Sequence, residues 1–178
     1  MEELINHPAY RLLTDRYERV GLDYVILASY EVYAGIETHR KAIARALELL
    51  NGRFSEYGFG VDFRADHLSA TPVDPKDFLD APDGAEPYAK ERSFTPPAPL
   101  PYWYAFLMPP QGTPYLAADF RFFNETLFPN PDETEVYRWN DDFSSYFDAG
   151  KEWWGTGFWT AYDPKTGVFA VIGASLTD

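Results

Sequence analysis

Few residues in this sequence can act as acids or bases near neutral pH. Three histidines, His7, His39 and His67, are its only side chains that ordinarily titrate there. The sequence has no cysteine, which excludes disulfides, thiolate metal sites and cysteine nucleophiles. A hydrolase built on a histidine would need a carboxylate to orient the imidazole, and the candidates are His67 with Asp66 or Glu37.

The segment VDFRADHL, residues 61–68, alternates apolar and polar side chains in the manner of a β-strand. Successive side chains of a strand point to opposite faces, so Asp66 and His67 are predicted to point apart. To act as a base, His67 would then need an acid from elsewhere, such as Glu31 or Glu37. On an apolar face, His67 is more typical of a hydrogen-bonded core residue than of a catalytic one.

Metal and nucleotide motifs are missing from the sequence. The side chains that could ligate a metal are His39, His67, Glu37 and Asp66, without an HExxH motif, an EF-hand loop or a histidine pair at helical spacing. Glu37 is expected to complement a helix dipole at an exposed N-terminus, with His39 solvated beside it. We predict neither a metal site nor a cofactor.

Residues 132–154 form a segment, here called the acidic–aromatic segment, with seven acids, two bases and seven aromatic rings. Clustered acids steer association with cationic partners, and aromatic side chains supply anchors. The segment is therefore a candidate docking surface for a basic protein. The candidate binding residues are Trp139, Asp141, Asp142, Tyr146, Asp148, Glu152, Trp153 and Trp154.

The same segment has other interpretations. Its rings could line a cleft for a small polar ligand or a carbohydrate, with carboxylates holding hydroxyl groups. A glycosidase-like carboxylate pair could be Asp142 with Asp148 or Glu152, although the sequence does not fix their separation. The aromatic residues could equally belong to the core, with the acids as its solvated rim.

The formal net charge is −13, and most of it lies after residue 64. Residues 1–64 carry −2, whereas residues 65–178 carry −11. A field of this sign repels nucleic acid and anionic membranes, because both are bound by Lys and Arg that neutralise phosphate charge. It favours a basic protein as partner, although solubility alone also explains it.

The sequence carries no signature of a membrane protein. No apolar run approaches the roughly 18 residues that a transmembrane helix needs. The first ten residues, MEELINHPAY, hold acids where a signal peptide needs positive charge followed by an apolar stretch. We therefore expect a soluble, cytoplasmic protein.

Apolar periodicity predicts three main helices, at about residues 8–20, 36–50 and 114–128. Asn6 is available as a cap for the first, Asn51-Gly52 as the terminator of the second, and Thr113-Pro114 as the start of the third. Further along, Asn140 precedes a predicted two-turn helix that ends at Gly150. Strands are predicted at residues 23–33, 58–71, 102–108 and 136–139, with a helix as the alternative for 23–33.

Proline is concentrated in the middle of the chain. Eleven of the fifteen prolines fall between residues 72 and 114, so neither a long helix nor a central strand can form there. We predict an ordered Pro-rich loop or lid over residues 72–101. Its predicted anchors on the body of the protein are Phe78, Leu79, Tyr88 and Phe94.

The C-terminal stretch predicts a β-hairpin over about residues 153–175, with residues 164–167 as its loop. This loop pairs Asp163 with Val168, and Phe158 with Gly173, where the ring would cover the glycine. Helices and strands mix without a regular βαβ rhythm. The sequence therefore predicts a single α+β domain over residues 1–178, with a mixed or antiparallel sheet.

Three functional hypotheses follow. The first is a non-enzymatic acidic binding protein, of the inhibitor or immunity type, that docks a basic partner through an acidic–aromatic face. The alternative is an aromatic-lined pocket for a small polar ligand or a carbohydrate. The third is a hydrolase that uses His67 with a carboxylate.

Overall fold

The computed structural model describes residues 1–82, 85 and 96–176 of the chain. Its helices are α1 (Pro8–Asp15), α2 (Ile36–Ser55), α3 (Pro75–Leu79), α4 (Tyr102–Leu107), α5 (Ala117–Leu127) and α6 (Asp148–Trp153). Its strands are β1 (Glu2–Glu3), β2 (Asp23–Ala28), β3 (Ala70–Val73), β4 (Glu135–Trp139), β5 (Gly155–Asp163) and β6 (Val168–Leu176).

The six strands form one antiparallel sheet in the order β1-β2-β6-β5-β4-β3. The predicted α+β class is therefore confirmed, and the sheet is antiparallel. The two longest strands, β5 and β6, lie side by side at its centre, and β2 and β4 flank them. Both short edge strands lie far from the centre, which limits the unpaired backbone that the sheet exposes.

Helices cover both faces of the sheet. Residues alternate along β5, so that Trp159 faces α1, α3, α4 and α5, whereas Phe158 faces α2 and the segment that precedes α6. Each face carries its own apolar core built largely from aromatic rings. The residues of β5 and β6 are almost all buried, because they belong to both cores at once.

The predicted hairpin register is confirmed. Asp163 pairs with Val168, Trp159 with Ile172, and Phe158 with Gly173, around a loop of residues 164–167. Asp163 is buried and its Oδ1 accepts a hydrogen bond from the backbone N–H of Lys165 at 2.9 Å. This side chain closes the turn locally, which explains why the register follows from the sequence alone.

The ring that covers Gly173 is Tyr146, not the predicted Phe158. A Cβ atom at Gly173 would lie 2.6 Å from the Tyr146 hydroxyl oxygen and 2.9 Å from its Cζ. Phe158 pairs with Gly173 across the strands but packs against Phe143 and Phe147. Gly173 therefore serves a contact between the hairpin and a segment about 27 residues earlier in the chain.

Helix α2 is longer than predicted. It continues through Asn51 and Gly52 to Ser55, so the predicted terminator is wrong. The added turn is held by tertiary contacts: Phe54 stacks on Tyr146, and Arg53 forms an ion pair with Glu3. Tertiary packing overrides the local stop signal in this turn.

The predicted strand at residues 58–71 is wrong for most of its length, and β3 spans only Ala70–Val73. Gly58 has φ +80°, which interrupts any extended run. The backbone of the following residues bonds to another loop: Ser144 donates to the carbonyl of Asp62 at 2.6 Å, and Arg64 N–H donates to the carbonyl of Phe143 at 2.8 Å.

Residues 102–107 form helix α4, so the predicted strand at 102–108 is also wrong. Most of its side chains are buried, including Tyr102, Tyr104 and Phe106. A short run that is apolar on all sides has no period that separates a buried helix from a buried strand.

The helix predicted between Asn140 and Gly150 is wrong, because α6 begins only at Asp148 and Gly150 lies inside it. Other predicted elements are found with altered bounds. Helix α1 ends at Asp15 rather than residue 20, and its cap is His7 rather than Asn6. Helix α5 begins at Ala117, three residues after Pro114. The first predicted strand is confirmed as β2, which ends at Ala28.

The Pro-rich loop is described only in part. Phe78 and Leu79 are buried on α3, as predicted for anchors. Tyr88 and Phe94 lie outside the described residues, together with the rest of residues 83–84 and 86–95 of the predicted lid. Among the helices that the structure describes, none is long and apolar enough to cross a lipid bilayer.

The extended α2 helix predicts opposite effects for two glycine substitutions. Gly52 lies inside the helix with open space where a Cβ would project, so Gly52→Ala should raise the free energy of unfolding by about 0.8–1 kcal/mol. Gly58 has φ +80°, so Gly58→Ala should lower it by roughly 1 kcal/mol or more. Urea unfolding measures both, and a destabilising Gly52→Ala would show that the helix ends at residue 51.

Candidate functional site

An open cleft lies where the C-terminal end of α2 meets the start of β2, the end of β6 and the segment leading into α6. Its volume is about 660 Å³, within the range of roughly 300–1,000 Å³ that is typical of ligand sites. Two acids line it, Asp23 and Asp148. The other lining residues are Phe54, Tyr57, Phe59, Gly60, Val61, Ser145, Tyr146, Ala149 and Ser175.

Asp23 and Tyr146 form the inner part of this cleft. The Tyr146 hydroxyl donates a hydrogen bond of 2.7 Å to Oδ2 of Asp23, and its ring lies on Gly173. Burial raises the pKa of Asp23, and the hydrogen bond from Tyr146 opposes that shift only in part. Oδ1 of Asp23 accepts no hydrogen bond from the described residues and stays accessible to solvent.

The loop after α2 forms one wall. Tyr57 and Phe59 are 77 % and 69 % exposed, which is unusual for rings in a chain whose core is so aromatic. A hydrogen bond of 2.8 Å from Val61 N–H to the side-chain oxygen of Asn51 connects the loop to α2. It is also tied to the opposite wall, because Asp62 N–H donates to Ser145 Oγ at 3.1 Å.

Helix α6 forms the opposite wall and carries the exposed part of the acidic–aromatic segment. It sits close against β6, since a Cβ at Gly150 would lie 2.9 Å from the Ser175 Cα. Asp148 and Ala149 line the cleft. Glu152 and Trp153 follow one turn later on the same two rows of the helix, and the Trp153 side chain is 66 % exposed.

These two walls present exposed rings beside exposed acids. Neither Asp148 nor Glu152 forms an ion pair with any residue that the structure describes. We call this surface the acidic–aromatic face, and its residues are Tyr57, Phe59, Asp148, Glu152 and Trp153.

Three of the predicted binding residues belong to the core instead. Trp139 is buried and donates its indole N–H to Thr160 Oγ1 at 2.9 Å. Trp154 is buried and stacks on Tyr104, with ring centroids 5.7 Å apart. Tyr146 is buried as well, but its hydroxyl reaches the cleft through Asp23.

Asp141 and Asp142 lie near α6 and are partly neutralised. Both approach the ammonium of Lys151, at 3.7 Å and 3.0 Å. Asp141 also accepts a hydrogen bond of 2.5 Å from Thr156. The Lys151 charge lowers the pKa of Asp142. The structure therefore brings five of the eight predicted binding residues to one region of the surface.

The predicted separation of Asp66 and His67 is wrong. The two residues lie in a short 3-10 turn, where Nε2 of His67 is 3.8 Å from Oδ2 of Asp66. His67 is half exposed rather than packed in the core, and neither residue lines the cleft. Glu37 pairs instead with Arg40, at 3.5 Å. The catalytic candidates are thus an exposed pair and a separate helix N-terminus.

His39 is fully buried, so the prediction of a solvated imidazole is wrong. Its Nδ1 lies 2.7 Å from Thr160 Oγ1, and its Nε2 lies 3.0 Å from the Tyr33 hydroxyl. The Tyr33 hydroxyl in turn donates to the Glu135 carboxylate at 2.6 Å. Burial lowers the pKa of His39 to about 3, so the imidazole is neutral at physiological pH.

The donor and the acceptor of each hydrogen bond around His39 follow from the two groups at the ends of the network. The Trp139 indole can only donate to Thr160, and Tyr33 donates to the Glu135 carboxylate. Tyr33 must therefore accept from Nε2–H of His39, which leaves Nδ1 free to accept from the Thr160 hydroxyl. The histidine satisfies a buried polar network and holds one tautomer. Its geometry is that of a structural residue.

The four side chains considered as metal ligands, His39, His67, Glu37 and Asp66, do not come together. Among the residues that the structure describes, no group of three or more His, Asp or Glu side chains could hold a metal ion. His39 has both ring nitrogens engaged by hydrogen bonds, and His67 lies at a different point of the surface.

Four residues of the cleft were missed by the sequence: Asp23, Phe54, Tyr57 and Phe59. One sequence signal was available, because Tyr57 and Phe59 alternate with Gly58 and Gly60 directly after α2, which ends with Phe54 and Ser55. Such a pattern is typical of a loop that presents aromatic side chains. The loop was not predicted, because residues 58–71 were interpreted as a strand.

The low pKa of His39 predicts a pH-dependent contribution to stability. Between about pH 3 and the ordinary value of 6.5, the unfolded chain protonates this imidazole and the folded chain does not. Its contribution is therefore fully present above pH 6.5 and is lost as the pH falls, with a slope of up to about 1.4 kcal/mol per pH unit. His39→Gln should flatten the profile of unfolding free energy against pH over this range.

His67→Gln is the matched control, because it removes one imidazole that is half exposed and lies outside the buried His39 network. Urea unfolding at several pH values supplies the measurement. Equal slopes for the wild-type protein and His39→Gln would contradict a buried neutral His39.

Comparison with protein-family models, with curated proteins and with solved structures finds no match for this chain. The function of the cleft and of the acidic–aromatic face is therefore inferred from their residues.

Proposed function

We propose that this protein is a non-enzymatic binding protein, of the acidic inhibitor or immunity type, that docks a basic protein through its acidic–aromatic face. The observation that carries the proposal is the exposure of Trp153, Tyr57 and Phe59 near Asp148 and Glu152, two carboxylates that form no ion pair within the described part of the chain. Aromatic anchors at the centre of an interface supply affinity, and surrounding acids supply steering and selectivity.

The charge of the chain supports a basic partner. The net charge is −13, and most of the excess acid lies in the half that includes α6. Many of the other acids are already matched by cations, for example Asp119 by Arg16 and Glu133 by Lys165. Asp148 and Glu152 keep their charge available for a partner. The same field disfavours nucleic acid as the partner.

We propose the cytoplasm as the place of this encounter. An inhibitor of this type acts by covering a surface of its partner. It needs no reacting group of its own.

The proposal predicts which substitutions weaken capture of the partner. The protein, immobilised and exposed to extract from its native host at low salt, should retain a basic protein that elutes as the salt concentration rises. Trp153→Ala should cost about 2 kcal/mol or more in binding free energy with that protein once purified, as expected for a central aromatic anchor. Asp148→Asn with Glu152→Gln should slow association by about threefold or more at low salt.

The matched control is Asp15→Asn with Glu18→Gln, at and just after the end of α1; both acids are exposed and neither pairs with a cation among residues 1–82, 85 and 96–176. These substitutions change the net charge by the same amount but should leave association nearly unchanged. Equal effects of the two double variants would mean that only net charge matters and would contradict docking through the face. Retention of a neutral or acidic protein alone would contradict the basic partner.

A small polar ligand or a carbohydrate in the cleft is the second candidate. The observation that favours it is the size of the cleft together with its rings, Phe54, Tyr57 and Phe59, and its acids. These rings do not belong to the acidic–aromatic segment that was first expected to line such a pocket, since Trp139 and Trp154 of that segment are buried in the cores.

This second candidate predicts saturation-transfer NMR signals from neutral mono- and disaccharides, and their loss in Phe59→Ala. Trp153→Ala lies outside the cleft lining and should leave those signals unchanged. Saccharide signals that survive Phe59→Ala would contradict sugar binding at this site.

A further inference from the structure

The charge of the cleft lining is one-sided. The lining includes two carboxylates, Asp23 and Asp148, and the described lining residues contain no lysine, arginine or histidine. A smaller pocket of about 320 Å³ near α3 and α5 differs, because Lys76 and Arg121 line it together with acids. The cleft near α6 combines an aromatic lining with acids in the largest of these volumes, about 660 Å³.

We propose that the cleft receives an arginine side chain of the basic partner, with its guanidinium on Asp23 and its stem along the rings of Phe54 and Tyr57. This inference rests on the proposed function and specifies which chemical group of the partner is recognised.

Oδ1 of Asp23 is a free hydrogen-bond acceptor at the inner end of the cleft. Tyr146 occupies Oδ2 of Asp23 and fixes the orientation of the carboxylate, while Oδ1 has no donor among the described residues and remains accessible. Burial raises the pKa of Asp23 and the Arg53 charge lowers it in part, but the Arg53 guanidinium is hydrogen-bonded to Glu3 and to the carbonyl of Tyr24. A partly buried carboxylate with an open oxygen is completed by a donor that brings positive charge.

Aromatic rings form one wall of the cleft. The rings of Phe54 and Tyr146 are nearly parallel, at 21°, with centroids 6.3 Å apart. Tyr57 and Phe59 stand exposed at the mouth. A guanidinium is planar, weakly hydrated and stacks on aromatic faces, whereas an ammonium is a strongly hydrated point charge. The wall therefore favours arginine over lysine.

The cleft is larger than a single side chain. A volume of about 660 Å³ exceeds what one side chain fills, so the cleft also accommodates the residues that flank the arginine. Asp148 lies at the rim on α6, where it faces those residues as they enter. The occupant is thus a segment of protein that carries one inserted arginine, with the exposed Trp153 one turn further along α6.

Titration of the ¹⁵N-labelled full chain with three capped tripeptides tests this inference. The peptides are acetyl-Gly-Arg-Gly-amide, its lysine analogue, and its citrulline analogue, which keeps the shape and removes the charge. The arginine peptide should shift the backbone amide signals of Gly60, Ser145 and Ala149. The citrulline peptide should bind about tenfold more weakly, in line with the loss of one charge-assisted hydrogen bond, and the lysine peptide several-fold more weakly.

Asp23→Asn should weaken the arginine peptide by about tenfold and leave the citrulline peptide unaffected. Tyr57→Ala, which removes an exposed ring, should weaken both peptides while the spectrum stays that of the folded protein. Asp15→Asn is the control and should change neither. Equal binding of the arginine and citrulline peptides, equal binding of the arginine and lysine peptides, or shifts confined to other regions would each overturn the assignment.

The outcomes separate this inference from the proposed function. If Trp153→Ala weakens a basic partner but Asp23→Asn does not, the face binds the partner and the arginine assignment is wrong. If the arginine peptide occupies the cleft and no basic partner depends on Trp153, the cleft assignment holds and the proposed docking is wrong.

Discussion

The contact of Tyr146 with Gly173 and Asp23 is the constraint on which the cleft depends. Gly173 leaves room on the central strand for the ring, and Asp23 at the start of β2 accepts its hydroxyl at 2.7 Å. This single side chain ties the segment before α6 to two neighbouring strands. It fixes the position of α6, orients the carboxylate in the cleft, and provides the surface on which Phe54 extends α2 by a turn.

Aromatic side chains build both cores, and their polar atoms make each core specific. On one face, Tyr24 hydrogen-bonds to Tyr102, which donates to Asn124 at 3.0 Å. On the other face, buried His39 hydrogen-bonds to Thr160 and Tyr33, so its polar atoms also have partners. A buried hydroxyl, indole or imidazole without a partner is costly, so these networks favour one arrangement of the rings over other packings of similar volume. The rings of the acidic–aromatic face are the exception, because they are left in solvent.

The sequence predicted what local chemistry determines. The hairpin register followed from a turn that Asp163 closes on its own neighbours, and the start of α2 and the strand β2 followed from apolar patterning. The cleft could not be predicted in this way, since Tyr146 meets Asp23 across 123 residues and His39 meets Thr160 across 121. The acids and rings of residues 132–154 are neighbours in the sequence, but packing decides that Trp139 faces inward and Trp153 outward.

Docking of a basic protein on the walls of the cleft is tested most directly by hydrogen–deuterium exchange of the protein with and without its captured partner. Binding should slow exchange in residues 54–61 and 144–153, the two segments that form the walls. Slower exchange confined to the region of α3 and α5, with both walls unchanged, would contradict it.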